Sequence, residues 1–172
     1  KINKEIKKYI CNSKVFLISG LNSIKNLNIL NEKLSFLKEC LQCLPKKSYS
    51  YYEDGCYHND EVAKVVRKFT FNNVNICSMN EDEFLCFSND SKFKTNPNKL
   101  MHYLVKFRRI NKTKLLIIHT SNWSLVYGKN AKNYKDCLEN GILLATGRMI
   151  YGDNLEKSNF IKIKKEFIYK KS

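Results

Sequence analysis

The fold is decided by residues 15–45, VFLISGLNSIKNLNILNEKLSFLKECLQCLP. The apolar run Val15–Ile18 ends at a turn signal, Ser19-Gly20, and predicts a buried strand. Leucines then recur at steps of three and four residues, the spacing of one face of a helix, until Pro45 ends the helix. These leucines stand at positions 27, 30, 34, 37, 41 and 44. A strand followed by an amphipathic helix is the repeating unit of α/β sheets.

The same alternation continues along the rest of the chain. Further strands are predicted at 48–53, 74–76, 114–119 and 122–127, with an edge strand at 160–169. Helices are predicted to begin at Asn59, near Asn80 and at Pro97, and to cover 132–149 with an interruption at Gly141; the stretch 88–98 is the most loop-like. Continuously apolar strands between helices predict one α/β domain over residues 1–172, a Rossmann-like parallel sheet with helices on both faces.

Composition and charge are those of a globular domain with excess basic residues. The 172 residues include 31 Lys and Arg against 16 Asp and Glu, a net charge of +15, and 43% are hydrophobic. This composition excludes a disordered or collagen-like chain. No apolar run approaches the roughly 20 residues of a membrane span, so no membrane partner is expected. Because the lysines are scattered along the chain, we do not expect a dedicated nucleic-acid surface, and a basic nucleic-acid-associated domain is kept only as an alternative.

The cysteine pattern favours free thiols. There are seven cysteines, an odd number without paired spacing. The one short-spaced pair, Cys40-x-x-Cys43, lies inside the leucine helix without a second pair, which argues against a zinc site. The N-terminus has no signal-like pattern. We therefore expect a reduced, cytoplasmic chain, and one that is a piece of a longer protein.

Polar residues follow four of the predicted strands at the point where each strand ends. They are Ser19-Gly20, Glu53-Asp54, Asn80 to Glu83, and His119-Thr120. In open α/β sheets, ligands bind outside the carboxyl ends of the strands, so we expect these residues to meet at one edge and form a ligand site. Taken singly, each has the alternative of being an ordinary helix cap or turn.

These motifs, in order along residues 14–150, make the sequence resemble the ADP-dependent sugar kinases, the glucokinase and phosphofructokinase branch of the ribokinase-like superfamily. VFLISGL, residues 15–21, is similar to a family strand that ends in a Ser-Gly turn. Tyr51-Tyr52-Glu53 stands where the family has His-x-Glu, and Asn80-Glu81-Asp82-Glu83 matches its Asn-x-x-Glu motif. His119-Thr120 is similar to the His-Thr that closes a later strand. The resemblance implies an incomplete ribokinase-like sheet.

The resemblance also implies a function: phosphoryl transfer from ADP to a sugar or sugar phosphate, with Mg²⁺ as the cofactor. It assigns Glu53, Asn80 and Glu83 to the magnesium and its waters around the phosphates. It brings the nucleotide close to His119, the candidate cofactor-binding residue, whose ordinary alternative is a hydrogen-bonded residue at a strand end. Magnesium prefers hard oxygen ligands and bridges phosphate oxygens during phosphoryl transfer.

The departures from the family predict that this chain alone is inactive. Tyr51 replaces the motif's His, and Ser78 replaces a common Gly. The family's Gly-x-Gly-Asp motif, which supplies the catalytic base, has only a partial echo in Tyr151-Gly152-Asp153, and the sugar-binding Asn-x-x-x-Asp motif is missing. We therefore expect a fragment of a larger kinase with no catalytic residue in this chain. A non-catalytic, kinase-derived binding or scaffold domain is the alternative, and the sugar, the preference for ADP over ATP and the oligomeric state are left open.

Overall fold

The structure, a computed structural model, describes residues 5–88, 97–120 and 123–169. It divides into two compact units, Lys1–Lys129 and Asn130–Ser172, which are described separately. One domain over residues 1–172 stays a prediction.

The first unit alternates strands and helices, as the sequence predicts. Its strands are β1 Val15–Ile18, β2 Tyr49–Glu53, β3 Ile76–Asn80, β4 Leu115–His119 and β5 Ser124–Gly128. Its helices are α1 Ile6–Ile10, α2 Leu27–Cys43, α3 Asp60–Asn73, α4 Glu81–Ser88 and α5 Pro97–Ile110. Ser88, Pro97 and Asn98 thus belong to helices, and the rest of the predicted loop, 89–96, lies outside the described residues. Within the described ranges, no helix has both the length and the apolar character that a membrane crossing requires.

The five strands form one sheet in the order β1-β2-β3-β4-β5. The first four are parallel, and β5 runs antiparallel to β4, so the predicted α/β class is confirmed with a mixed sheet. The reversal before β5 is fastened by Thr120, whose N–H donates to the Trp123 carbonyl at 2.9 Å and whose Oγ1 accepts from the Trp123 N–H at 3.0 Å. Parallel crossovers are right-handed, so crossover helices that join strands in the order of the chain lie on the same face of the sheet. That helices cover both faces therefore stays a prediction.

The main core lies on that helix-covered face. Strand residues that are paired in register, Ile18, Tyr52, Cys77 and Leu116, all point into it. The helices add Leu30, Leu34, Val62, Val66, Phe71, Phe84, Leu104 and Phe107. Burying such aliphatic and aromatic side chains stabilises the fold by about 1.5–3 kcal/mol each, before the opposing cost in conformational entropy.

Strand β1 differs from its prediction as a buried strand. Ile18 is buried, but Val15 and Leu17 are each 59% exposed. Successive side chains of a strand point to opposite faces, and β1 is the last strand of the sheet within the described residues. A four-residue apolar run therefore gives an edge strand with only one face packed on the core.

Asparagine side chains fix the starts of two helices. Asn26 Oδ1 accepts from the N–H groups of Asn28 and Ile29 at the start of α2. Asn59, the predicted cap of α3, accepts from the first turn in the same way, which confirms that prediction. Such a cap is worth about 1 kcal/mol because it satisfies N–H groups that have no partner within the helix.

The second unit is helical. It contains α6 Lys135–Tyr151 and α7 Lys157–Tyr169. The predicted interruption at Gly141 is wrong: α6 runs through it, because one interior glycine costs a helix only about 1 kcal/mol. The edge strand predicted over 160–169 is also wrong. Alternation of apolar and charged residues over a few positions also fits a helix. Ile163 of α7 is buried against Gly147 of α6, where an added Cβ would lie 3.2 Å from Ile163 Cδ1.

Candidate functional site

The carboxyl ends of three neighbouring parallel strands bring the predicted site residues to one edge of the sheet. Glu53 ends β2 opposite Ser78 of β3. Asn80 ends β3 opposite His119, which ends β4. Glu83 lies in the first turn of α4, which begins directly after β3. All four candidate residues therefore lie at the same edge of the sheet, as the sequence predicts.

The Ser19-Gly20 turn follows β1 at the same edge, because β1 is parallel to β2. Gly20 has φ of +73°, a left-handed conformation that glycine adopts without steric cost. The loop is tied to the β2 loop through Asn22, whose side-chain amide donates to the Cys56 carbonyl at 3.1 Å. The contact through Asn22 therefore holds the loop after β1 beside the loop after β2, which follows Glu53.

His119, at the end of β4, extends its ring across β3 toward the end of β2. Its Nδ1 is 3.3 Å from Ser78 Oγ, and its Nε2 is 3.8 Å from Glu53 Oε1. The imidazole and the Glu53 carboxylate are both partly exposed. The ring is thus held by one buried hydroxyl on one side and faces a solvent-accessible carboxylate on the other. The sequence marks Ser78 only as a replacement for glycine, and no local signal indicates that it is the partner of His119.

Asn80 and Glu83 hold each other through their backbones. The Asn80 N–H donates to Glu83 Oε2 and the Glu83 N–H donates to Asn80 Oδ1. Glu83 is only 5% exposed. Burial raises the pKa of this carboxyl, the Asn80 hydrogen bond lowers it, and the charges of Asp54 and Glu53 raise it further, for a net rise. A buried carboxylate near two others is a place where a cation would be stabilised.

Tyr51 occupies the position where the resemblance leads one to expect histidine. Burial raises the pKa of its hydroxyl to about 12; a hydrogen bond with Ser78 opposes the rise, and Glu53 adds to it. Tyr51 is therefore a neutral phenol at physiological pH. It lies on the same sheet face as Glu53 and Ser78, and it supplies a donor where a histidine would supply a ring nitrogen.

A buried ion pair fixes the chain immediately after Glu53. Arg67 Nε donates to Asp54 Oδ2 at 2.8 Å, and the Tyr52 hydroxyl donates to Asp54 Oδ1 at 2.7 Å. The Asp54 side chain is completely buried. The Asp54 N–H also donates to the Ser78 carbonyl, which extends the pairing of β2 with β3 by one residue. Sequence reasoning missed this network, since nothing local marks Arg67 as the partner of a carboxylate 13 residues earlier.

The donor chemistry of the site fits magnesium that arrives with phosphates. Arg67 neutralises Asp54, so the carboxylates of Glu53 and Glu83 remain for a cation. Within the described ranges, no group of three or more His, Cys, Asp or Glu residues is arranged to hold a metal by itself. Magnesium in nucleotide sites takes one or two carboxylates and completes its shell with water and phosphate oxygens. The two carboxylates meet that requirement.

Comparison with known proteins identifies the fold. No protein-family model and no curated protein matches the sequence. The chain superposes on a hypothetical ADP-dependent phosphofructokinase from Pyrococcus horikoshii OT3 with a TM-score of 0.78 at 16% identity, covering 96% of this chain and 42% of that one. A last common ancestor of ADP-dependent phosphofructokinases from Methanosarcinales gives 0.75 at 14%, with 95% and 39% covered. An ADP-dependent kinase in complex with fructose-6-phosphate and ADPβS gives 0.73 at 13%, with 94% and 41% covered.

These matches confirm the resemblance at the level of the fold. The fold of this chain is similar to that of the solved ADP-dependent kinases, and the chain spans about 40% of their length.

Proposed function

We propose that this chain is the magnesium-organising, nucleotide-facing part of an ADP-dependent sugar kinase of the glucokinase or 6-phosphofructokinase type, and that it is inactive alone. One observation carries the proposal: Glu53, Asn80, Glu83 and His119 lie together at the carboxyl edge of a sheet with the fold of those kinases. Phosphoryl transfer relies mainly on positioning and charge neutralisation, and the edge supplies groups for both.

Each residue has a distinct part in this proposal. Glu53 and Glu83 would hold Mg²⁺ directly or through water, and the bound ion would neutralise charge on the nucleotide phosphates. Asn80 fixes the Glu83 carboxylate through the reciprocal bonds between them. His119, with its ring held by Ser78, is the residue on this edge proposed to lie nearest the nucleotide.

The proposed inactivity rests on the missing base. Transfer to a sugar hydroxyl needs a general base within hydrogen-bonding reach of that hydroxyl. The partial echo of the family's motif ends at Asp153, whose carboxylate accepts from Arg148 Nη2 at 2.7 Å in an exposed ion pair. A carboxylate that is fully solvated and paired with a cation is a poor base for an alcohol.

Calorimetric titration of the full chain with ADP tests the binding role. We expect ADP to bind in the presence of Mg²⁺ and not in the presence of EDTA. Glu83→Gln should weaken binding at least tenfold, or by about 1.4 kcal/mol. Glu32→Gln, a charge-matched change at an exposed position on α2, should leave the affinity unchanged. Equal affinity with and without Mg²⁺, or an unchanged affinity in Glu83→Gln, would contradict the proposal.

A kinase assay tests the inactivity separately. The full chain, supplied with Mg²⁺ and ADP, should form no phosphorylated product from glucose or from fructose 6-phosphate. Product formation above that of a Glu83→Gln, Glu53→Gln double variant would show that a base is present in the chain and would overturn this part of the proposal.

A further inference from the structure

Helix α1 is fastened to the second half of α2. The Lys7 ammonium forms an ion pair with the Glu39 carboxylate and lies 5.3 Å from the centre of the Phe36 ring. Lys7 also lies close enough to Cys40 and Cys43 for its charge to act on their thiols. The register of α1 on α2 is therefore fixed at Lys7 and Glu39.

One helical turn further on, each helix carries a cysteine. Cys11 follows Lys7 by four residues, and Cys43 follows Glu39 by four residues. Residues four apart lie on the same face of a helix, and the C-terminal ends of α1 and α2 lie side by side, since the Ser48 hydroxyl donates to the Ser13 carbonyl. The contact between Lys7 and Glu39 therefore carries over to the two cysteines. Cys11 continues the turn of α1: it has helical dihedral angles and its N–H donates to the Lys7 carbonyl at 3.0 Å. The Cys43 thiol lies close enough to the Cys11 thiol to contribute to the raised pKa of Cys11.

We propose that Cys11 and Cys43 are a redox modification site, at which oxidation forms a disulfide that ties α1 to the end of α2. Accessibility supports this pair: Cys11 is exposed and Cys43 is partly exposed, whereas Cys40, one turn earlier on α2, is buried. The proposal concerns an oxidised state of the chain and does not depend on its function as a kinase part.

A disulfide of small thiols, such as oxidised glutathione, is the co-reactant. The Cys11 thiolate attacks one sulfur of oxidised glutathione, so that a Cys11–glutathione bond forms and one glutathione thiolate leaves. The Cys43 thiolate then attacks the Cys11 sulfur, the Cys11–Cys43 bond forms and the second glutathione leaves. The two cysteines lose two electrons and two protons, and one oxidised glutathione becomes two reduced molecules. Partial desolvation beside α2 and the neighbouring Cys43 thiol raise the pKa of the Cys11 thiol, so the first step is slow at neutral pH.

The bond would close the segment from 11 to 43, which contains β1 and all of α2. A cross-link of this kind restricts the unfolded chain and raises the temperature of unfolding. Oxidation would therefore tighten the attachment of α1 to α2 on the side of the sheet where β1 is the edge strand.

Peptide mapping after oxidation tests the proposal. The full chain is equilibrated with oxidised glutathione, quenched with acid, alkylated, digested with trypsin and analysed by mass spectrometry. We expect peptide 9–14 to be linked to peptide 39–46, and the link to disappear on reduction. Because peptide 39–46 contains both Cys40 and Cys43, the experiment is repeated with Cys40→Ser, which should keep the link, and with Cys43→Ser, which should lose it.

Two controls make the result decisive. Cys56→Ser, at another exposed cysteine, should leave the yield of the link unchanged. Circular dichroism of each variant checks that it folds. A link from Cys11 to Cys40, or Cys11 that carries glutathione while Cys43 stays alkylated, would overturn the proposal, as would a chain in which both thiols are alkylated after prolonged oxidation.

Discussion

Asn80 and Glu83 each accept a hydrogen bond from the other's backbone N–H, at 2.8 Å in both directions. This reciprocal arrangement is a capping box, with Asn in the place usually taken by Ser or Thr. It gives the Asn-x-x-Glu spacing a structural reason: the asparagine starts α4 and at the same time fixes the carboxylate one turn later. The two residues therefore contribute both to helix stability and to the candidate magnesium site.

Removing the asparagine side chain should weaken both properties. Asn80→Ala leaves the Glu83 N–H without its acceptor, and we expect the free energy of unfolding to fall by about 1 kcal/mol in a urea titration. The Glu83 carboxylate keeps its bond from the backbone N–H of residue 80, but the helical turn that positions it is less firmly fixed, so the Mg²⁺-dependent affinity for ADP should fall as well. Asn80→Ser, which keeps a capping oxygen, should restore most of the stability. An Asn80→Ala chain as stable as the parent would show that the box contributes nothing to α4.

The buried Glu83 carboxyl should give stability a dependence on pH. Its pKa is raised in the folded state above the usual value of 4.5, so the folded chain holds this proton more tightly than the unfolded chain. The sign follows from linkage: this group's contribution is most favourable below pH 4.5 and declines as the pH rises through the folded pKa. Glu83→Gln removes the decline.

Urea titrations between pH 4 and pH 7, without nucleotide, measure this effect. The difference in unfolding free energy between Glu83→Gln and the parent should move in favour of the variant as the pH rises. Glu32→Gln, at an exposed position, should show no such trend. A difference that is constant with pH would mean that Glu83 titrates alike in the folded and unfolded chains.

The sequence predicts much of the sheet because its signals are local. The apolar strands, the leucine face of α2 and the cap at Asn59 are read from neighbouring residues, and each prediction agrees with the structure to within a few positions. Where two periods fit the same residues, the local signal fails. The apolar and charged residues over 160–169 fit a strand or a helix, and only packing against α6, beside Gly147, decides for the helix.

The same distinction applies to the candidate site. Strand ends are local, so Glu53, Asn80, Glu83 and His119 are predicted together from the rule that ligands bind at the carboxyl edge. The contacts that hold them are not local. Ser78 meets His119 across 41 residues, and that pair depends on the register of β3 with β4. Sequence spacing alone contains no information on such a register.

The Asp54–Arg67 pair should contribute far more to stability than an exposed pair of similar geometry. Asp54 is fully buried and the Arg67 side chain is 15% exposed, whereas Arg148 and Asp153 are 69% and 91% exposed. Removing one partner of a buried pair leaves the other charge unpaired in a poorly solvated place, which costs about 3–5 kcal/mol. We therefore expect Asp54→Ala to lose that amount in urea denaturation, and Asp153→Ala to lose less than about 1 kcal/mol. Equal losses of unfolding free energy in Asp54→Ala and Asp153→Ala would contradict the inference that burial makes the Asp54–Arg67 pair the more important one.

Tyr51 should support the candidate site through its hydroxyl, because it is neutral and can donate a hydrogen bond toward Glu53. With its pKa raised to about 12, the Tyr51 hydroxyl remains protonated over the physiological pH range. Tyr51→Phe keeps the ring and removes the donor, so we expect a loss of Mg²⁺-dependent ADP affinity that is smaller than the loss in Glu53→Gln, with little change in unfolding temperature. Tyr51→His, which supplies a ring N–H instead, should retain more affinity than Tyr51→Phe. Calorimetry on the three variants decides the matter: if Tyr51→Phe binds Mg-ADP as tightly as the parent, the hydroxyl has no part in holding Glu53, and the ring alone explains why the site accepts tyrosine at this position.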